Sequence, residues 1–222
     1  MARLIALDDI AVIDNHCHAV EADQQTDVAK WRRYFTESPD PRMRADDVAE
    51  TAFYRRLMRA MAAFHDVPNQ EASILEARNR CTGADLVRTQ FGQAGIGGVV
   101  IDTGFPDAQK AMPVDAFTVA SGSSHRALLR LEVMFEDLMI QHSSYDDLRE
   151  AVRVRLADVR ASGYTGLKCI AGYRTGLSIE RWSEEDARAA HAAAQVELAT
   201  TGAVRLGYKP LLDTLLHIAF AA

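Results

Sequence analysis

Short apolar runs alternate along this chain with longer stretches of helical periodicity, and this alternation constrains the fold more than any other feature. Four apolar runs bounded by charged residues or glycine predict buried strands, at 11–15, 99–102, 126–134 and 166–171. Strands that alternate with helices form parallel sheets covered by helices. The pattern therefore predicts an α/β fold.

The predicted helices are amphipathic and have recognisable ends. The first long helix spans about 46–65, with an apolar stripe of Phe53, Leu57, Ala60, Met61 and Phe64. Further helices are predicted at about 72–80, 84–92, 145–161, 183–202 and 210–222. The segment at about 21–92 is too long for a simple crossover between two strands. We interpret it as a helical insertion in one domain that spans 1–222.

Composition and charge exclude several classes of protein. The 222 residues carry a formal net charge of −6, which argues against a nucleic-acid-binding surface and favours small-molecule substrates. No apolar run approaches the ~20 residues of a membrane span, and the N-terminus lacks the features of a signal peptide. Three cysteines without CxxC spacing predict neither a disulfide framework nor a zinc ribbon. We therefore expect a cytoplasmic protein with no nucleic-acid or membrane partner.

His16 and His18 follow the first predicted strand and are candidate metal ligands. Residues two apart on a strand share a face, so the two imidazoles can reach one cation. Zinc and similar ions favour imidazole nitrogen, and a catalytic site leaves one position open for water. Two histidines at this spacing also occur on surfaces and in cores, so the residues alone leave both interpretations open.

Three motifs carry a resemblance to a known family. Val12-Ile-Asp-Asn-His-Cys-His18 resembles the first-strand motif of the amidohydrolase superfamily, especially its amidohydrolase-related branch. The segment 166–177 resembles the fourth strand of members related to the N-terminal part of fungal and plant glutamine-synthetase fusion proteins, and Arg130-Leu-Glu132 resembles their third strand. The resemblance covers most of the chain, although 21–92 contributes little.

This resemblance implies a (β/α)8 TIM-type barrel with its site at the carboxyl ends of the strands. His16 and His18 would bind a divalent metal, for which we expect zinc, and Lys168 would be the strand-four catalytic lysine. That lysine is carboxylated in many members and bridges two metals. Lys168 alternatively remains a cation that faces the substrate, or pairs inside the barrel with Glu132 or Asp102.

The chain also departs from the family pattern. It ends before a recognisable fifth strand, so the later metal histidines and the water-activating aspartate have no counterpart. His217 lies at helical spacing with apolar neighbours and is not a substitute. We therefore expect about the first four strands of a longer barrel, whose exposed edges favour a homo-oligomer or pairing with the missing half.

Four further residues are candidate substrate contacts. Arg130 and Glu132 are predicted to share the inner face of the third strand, as substrate contacts or as an internal ion pair. Tyr173 and Arg174 follow the fourth strand, and Arg174 can hold a carboxylate with two hydrogen bonds or be a surface arginine without a role. Asp102, at the end of the second strand, is a functional carboxylate or a turn cap.

The sequence thus predicts a metal-dependent hydrolase that acts on a C–N bond, an amide or γ-glutamyl-like bond, of a small polar substrate. A decarboxylase or isomerase of the same superfamily is the first alternative. The second is a catalytically inactive half-barrel that binds metal or assembles with another chain.

Overall fold

The structure is a computed structural model, and it describes residues 10–22, 26–106 and 109–222. The chain divides into two compact units. The first consists of Met1–Ala19, Gly97–Ala108 and Ser124–Ala222, and the second of Val20–Ile96 and Gln109–Ser123. Each unit has its own core, and each is described separately.

The described residues contain four strands, which form one sheet in the order β1-β2-β3-β4. The strands are β1 (Val12–His18), β2 (Ile96–Asp102), β3 (Ser124–Arg130) and β4 (Tyr164–Lys168). β3 pairs in parallel with both β2 and β4, with Asp102 opposite Leu128 and Arg130 opposite Lys168. Because parallel strands end at one edge of a sheet, the last residues of these strands lie near one another.

Nine α-helices are described. In chain order they are α1 (Val28–Arg32), α2 (Ala52–His65), α3 (Glu71–Asn79), α4 (Gly83–Ala94), α5 (Val114–Ser121), α6 (Leu131–Gln141), α7 (Tyr145–Ala157), α8 (Glu184–Thr201) and α9 (Lys209–Ala221). Short π- and 3₁₀-helical turns at Met43–Asp47 and Val48–Glu50 precede α2. None of the helices in the described ranges is long and apolar enough to cross a membrane.

In the first unit, helices α6 to α9 pack with one face of the sheet. Leu129 of β3 joins a core of helix residues, of which Phe135, Leu148, Leu212 and Leu215 are completely buried. Ser144 and Ser183 cap α7 and α8 through hydrogen bonds from Asp147 and Asp186 backbone N–H groups. Alternation along β3 leaves Leu128 and Arg130 for the opposite face.

The second unit is helical, with a core that contains Trp31, Tyr54 and Ile74. Tyr54 of α2 donates a hydrogen bond to Glu71 of α3 (2.5 Å), and Arg32 at the end of α1 contacts the same carboxylate with Nε and Nη2. One glutamate therefore joins three helices.

Several predicted elements differ from the structure in their bounds. The strand predicted at 166–171, for example, lies at Tyr164–Lys168. The predicted helix at 46–65 is wrong at its start, because Thr51 is extended (ψ 142°) and caps α2 with its side chain. The predicted apolar stripe is also displaced, since Phe53 is 67% exposed while Tyr54 and Met58 are buried.

The predicted strand at 126–134 is wrong over its second half. β3 ends at Arg130, and α6 begins at Leu131. The buried residues Leu131, Met134, Phe135 and Met139 recur at helical spacing. Leu131 belongs to both patterns, because it continues the alternation of β3 and also begins the buried face of the helix.

Candidate metal centre

β1 presents His16 and His18 side by side. The two residues are alternate positions of an extended segment, so their side chains leave the same face. Their ring centroids lie 5.0 Å apart, with the rings nearly perpendicular. The His16 backbone N–H donates to Asp14 Oδ1 (3.1 Å). The local strand geometry alone is enough to bring the two imidazoles together.

Asp102 brings a carboxylate to the same place from β2. It is the last residue of that strand and is completely buried, and its Oδ2 lies 3.9 Å from His18 Nδ1. One ligand atom from each of His16, His18 and Asp102 lies within 4.8 Å of the other two. Within the described part of the chain, no other group of three His, Cys, Asp or Glu side chains comes together in this way.

Arg130 holds Asp102 from the end of β3. Its Nε lies 3.1 Å from Oδ1 and 3.2 Å from Oδ2, and its Nη2 lies 2.5 Å from Oδ2. The Gly104 backbone N–H also donates to Oδ1 (3.1 Å). These hydrogen bonds and the positive charge of the guanidinium compensate the buried carboxylate.

Phe105 and Gly104 complete the surroundings of this ion pair. The guanidinium carbon of Arg130 lies 5.8 Å from the centre of the Phe105 ring, and the same ring contacts His18 edge to face at 5.2 Å. A Cβ atom added at Gly104 would lie 2.7 Å from Arg130 Cβ. The turn after β2 therefore needs glycine so that Arg130 can reach Asp102.

The electrostatics favour neutral histidine and ionised aspartate. Burial lowers the pKa of His18, and the nearby His16 and Arg130 lower it further against the opposing effect of Asp102. Burial favours a higher pKa for the Asp102 carboxyl, but the hydrogen bonds from Arg130 and Gly104 outweigh it and hold that pKa below its usual value. Both groups are thus kept in the protonation state that a metal ligand requires.

The donor set fits a divalent transition metal. Two imidazole nitrogens and one carboxylate oxygen are zinc ligands, and catalytic sites commonly have three protein ligands. The ligand atoms lie within 4.8 Å of one another, whereas ligands at ~2.0–2.1 Å around a tetrahedral ion are about 3.3 Å apart, so side-chain rotations would be needed to close the site. Because Asp102 is already engaged by Arg130, His16 and His18 are the more available donors.

Lys168 lies at the end of β4, directly opposite Arg130 in the strand ladder. It is half-buried, and it forms no salt bridge with any carboxylate among the described residues. The expected internal pairing with Glu132 or Asp102 is therefore wrong, since Asp102 pairs with Arg130 and Glu132 has other partners.

Glu132 does not accompany Arg130 on the strand, because it lies in the first turn of α6. It is completely buried, and its Oε1 accepts hydrogen bonds from the Ile170 backbone N–H (2.8 Å) and the Cys169 thiol (3.1 Å). It therefore joins α6 to the residues that follow Lys168. The predicted shared face of Arg130 and Glu132 is wrong for the same reason that β3 is shorter than expected.

Tyr173 and Arg174 follow β4, in and just after a short 3₁₀ helix. Tyr173 is 65% exposed. Arg174 is mostly buried and pairs with Glu136 of α6 (3.1 Å), whose pKa burial raises. The Arg174 guanidinium thus has an internal partner and little exposure to solvent. The structure therefore does not support its predicted role as a substrate contact.

Sequence reasoning missed Gly104 and Phe105 and did not pair Asp102 with Arg130. Asp102 ends the second predicted strand, but the third is predicted to continue to 134, so the sequence does not place Arg130 at a strand end beside Asp102. The sequence Thr103-Gly104 after the second strand is the one signal for a close backbone approach.

A comparison with solved structures identifies one similar fold. It is a protein from Lactobacillus casei ATCC 334 described as a "putative metal-dependent hydrolase", with a TM-score of 0.79 and 25% sequence identity over 95% of this chain. This chain spans 54% of the length of that protein. No protein-family model matches the chain, and no curated protein is significantly similar to it. The similarity supports the fold of a metal-dependent hydrolase, and His16, His18 and Asp102 are its candidate metal ligands.

Proposed function

We propose that this chain forms part of the active site of a metal-dependent hydrolase of the amidohydrolase type. The observation that carries the proposal is the convergence of His16, His18 and Asp102 at the ends of β1 and β2. The sequence motif around His16 and His18 supports the amidohydrolase superfamily, and the similar fold supports a metal-dependent hydrolase.

In this proposal His16 and His18 hold a divalent ion, with zinc as the preferred metal because of the imidazole donors. Bound there, such an ion would supply Lewis acidity, which polarises a carbonyl group and lowers the pKa of water. The chain's own residues keep His18 neutral through burial and keep Asp102 ionised through Arg130. Lys168 is the proposed strand-four catalytic residue.

The proposed substrate is a small polar molecule with a C–N bond, such as an amide or a γ-glutamyl-like compound. Arg130 and Lys168 lie opposite each other in the ladder, at the same strand ends as the metal donors. Asp102 neutralises the charge of Arg130, so Lys168, which forms no salt bridge among the described residues, is the cation that favours a substrate with a carboxylate. Tyr173 is exposed after β4 and remains a candidate substrate contact.

The proposal also includes a complete eight-stranded barrel in the longer protein. The similar protein is almost twice as long as the aligned region, so further strands are proposed to supply the remaining metal ligands and the group that activates water. Catalytic turnover is therefore proposed for the longer form.

The experiment is metal analysis of the chain and of a variant with His16→Ala and His18→Ala. In equilibrium dialysis against zinc, we expect close to stoichiometric zinc in the unchanged chain and loss of most of it in the variant. His142→Ala is the matched control, since His142 lies at the end of α6 and outside the cluster. Equal zinc content in all three proteins would refute the assignment.

The reaction type needs its own readout. In a preparation of the longer form that consumes substrate, C–N hydrolysis releases ammonia or an amine, whereas decarboxylation releases carbon dioxide. Release of carbon dioxide without an amine would exclude the hydrolase.

A further inference from the structure

We propose that Arg130 controls how tightly this site binds a divalent cation, because it withholds the carboxylate of Asp102 from the two histidines. The inference rests on the proposed metal site and adds a residue that sets its affinity. It assigns Arg130 a positioning role that acts through Asp102.

The first argument is the identity of the shared oxygen. Asp102 Oδ2 is the atom that lies 3.9 Å from His18 Nδ1, and it is the same atom that Arg130 approaches with both Nε and Nη2. A cation held by the histidines and by Asp102 would have to share this oxygen with a guanidinium. A fixed positive charge next to the ion opposes its binding.

The second argument is burial. Asp102 is completely buried, and the Arg130 side chain is only 11% exposed. Solvent therefore screens the interaction weakly, and the pair is stronger than an exposed salt bridge. An arginine is also always charged, so this restraint does not disappear with pH.

The third argument is that the surrounding chain is shaped for this contact. Gly104 leaves room for the Arg130 side chain, with a hypothetical Cβ only 2.8 Å from Arg130 Cδ. The Phe105 ring contacts both the guanidinium and the His18 ring. The position of Arg130 is thus fixed by the turn after β2, beside one of the metal donors.

Two consequences follow for the cation. While Arg130 is in place, His16 and His18 provide most of the binding, and Asp102 contributes little. When the charge of Arg130 is removed, Asp102 becomes a full anionic donor and the affinity rises. Arg130 therefore limits the affinity of the site for a divalent cation. Once the ion is bound, its charge and that of Arg130 exceed the negative charge of Asp102, so the site stays positive.

The test is the zinc affinity of the metal-free chain, measured by competition with a chromogenic chelator at one fixed pH. We expect Arg130→Gln to bind zinc about tenfold or more tightly than the unchanged chain, on the scale of outer-shell changes at metal sites. Asp102→Asn alone should weaken zinc binding, because it leaves the buried charge of Arg130 uncompensated beside the ion. In the Arg130→Gln background, Asp102→Asn should remove the gain.

Arg126→Gln is the matched control. Arg126 lies on the same strand and on the same face as Arg130, but it is exposed and its side chain donates to the His125 backbone carbonyl rather than to a carboxylate. The Arg126→Gln variant should bind zinc with the same affinity as the unchanged chain.

A second measurement covers the possibility that Arg130→Gln folds poorly. Arg130→Lys retains the charge and should leave zinc affinity within about threefold of the unchanged chain. The zinc-induced rise in Tm should also be larger for Arg130→Gln than for Arg130→Lys, because an ion replaces the missing cation beside Asp102.

The possible failures are distinguishable. If the unchanged chain binds no zinc, or if His16→Ala and His18→Ala have no effect, the proposed function fails. If the histidines are needed but Arg130→Gln binds zinc with unchanged or weaker affinity, the role of Arg130 is overturned and the metal site stands.

Discussion

Asp102 shows how a single residue links the stability of this fold to its chemistry. A completely buried carboxylate costs several kcal/mol unless a partner compensates it. Arg130 is that partner, and its position depends on the absence of a side chain at Gly104. Asp102 and Gly104 at the end of β2 and Arg130 at the end of β3 therefore stabilise the fold as one unit.

At this scale, Gly104→Ala should destabilise the protein. The new Cβ would meet the Arg130 side chain at distances of 2.7 to 2.9 Å, so Arg130 must move away from Asp102. We expect the free energy of unfolding to fall by about 1–3 kcal/mol in urea denaturation.

Gly97→Ala on β2 is the control for that substitution. Its Cβ would meet Ala11 Cβ at 3.8 Å, an ordinary contact, and alanine is not unfavourable in a strand. Equal stability of the two variants would show that the close approach at Gly104 is not needed.

The residue scale also shows what the sequence could predict about the site. His16 and His18 were found because their spacing and the preceding apolar run are local features of one strand. The partners of Arg130, Glu132 and Arg174 could not be assigned, because each pairing joins residues that are 28 or more positions apart. The register between strands decides such pairings, and periodicity does not contain it.

At the scale of elements, periodicity gave most helices but not all of their ends. The helices α7 and α8 lie within the predicted ranges 145–161 and 183–202. The error at α2 arose because Thr51 interrupts the backbone inside a continuous polar-apolar pattern. The error at β3 arose because Leu, Glu, Met and Phe after Arg130 favour a helix as much as the alternation favours a strand.

The junction of α1, α2 and α3 provides a prediction at this scale. Hydrogen bonds from Arg32 lead the effects that lower the pKa of Glu71, with burial opposing them and Tyr54 adding to them. The folded pKa is thus below the unfolded value of 4.5, so Glu71 contributes stability above about pH 4.5 that is lost as the pH falls further.

We therefore expect Glu71→Gln to lose about 1–3 kcal/mol of stability at pH 7 and to show less additional loss than the unchanged chain between pH 5 and pH 3. Urea denaturation at several pH values measures both effects. Glu76→Gln is the control on the same helix, since Glu76 forms an exposed pair with Arg80 that contributes little. Equal acid sensitivity of Glu71→Gln and the unchanged chain would contradict this account.

At the scale of the whole molecule, the sequence predicted an α/β fold, and the structure has one. Parallel pairing followed from the alternation of strands and helices, which is a property of the entire chain. The division into two units could not be predicted from the sequence, because the second unit combines Val20–Ile96 with the distant segment Gln109–Ser123. Self-association remains a prediction, and the edge strands β1 and β4 expose Ile13 and Leu167.

The central claim is that one divalent ion lies between the imidazoles of His16 and His18. An anomalous-difference map from crystals of the zinc-loaded protein, with data collected on both sides of the zinc absorption edge, tests it most directly. The account predicts an edge-dependent peak about 2.0–2.1 Å from a ring nitrogen of each histidine. A fully loaded crystal with its zinc peak elsewhere, and none between these two rings, would contradict it.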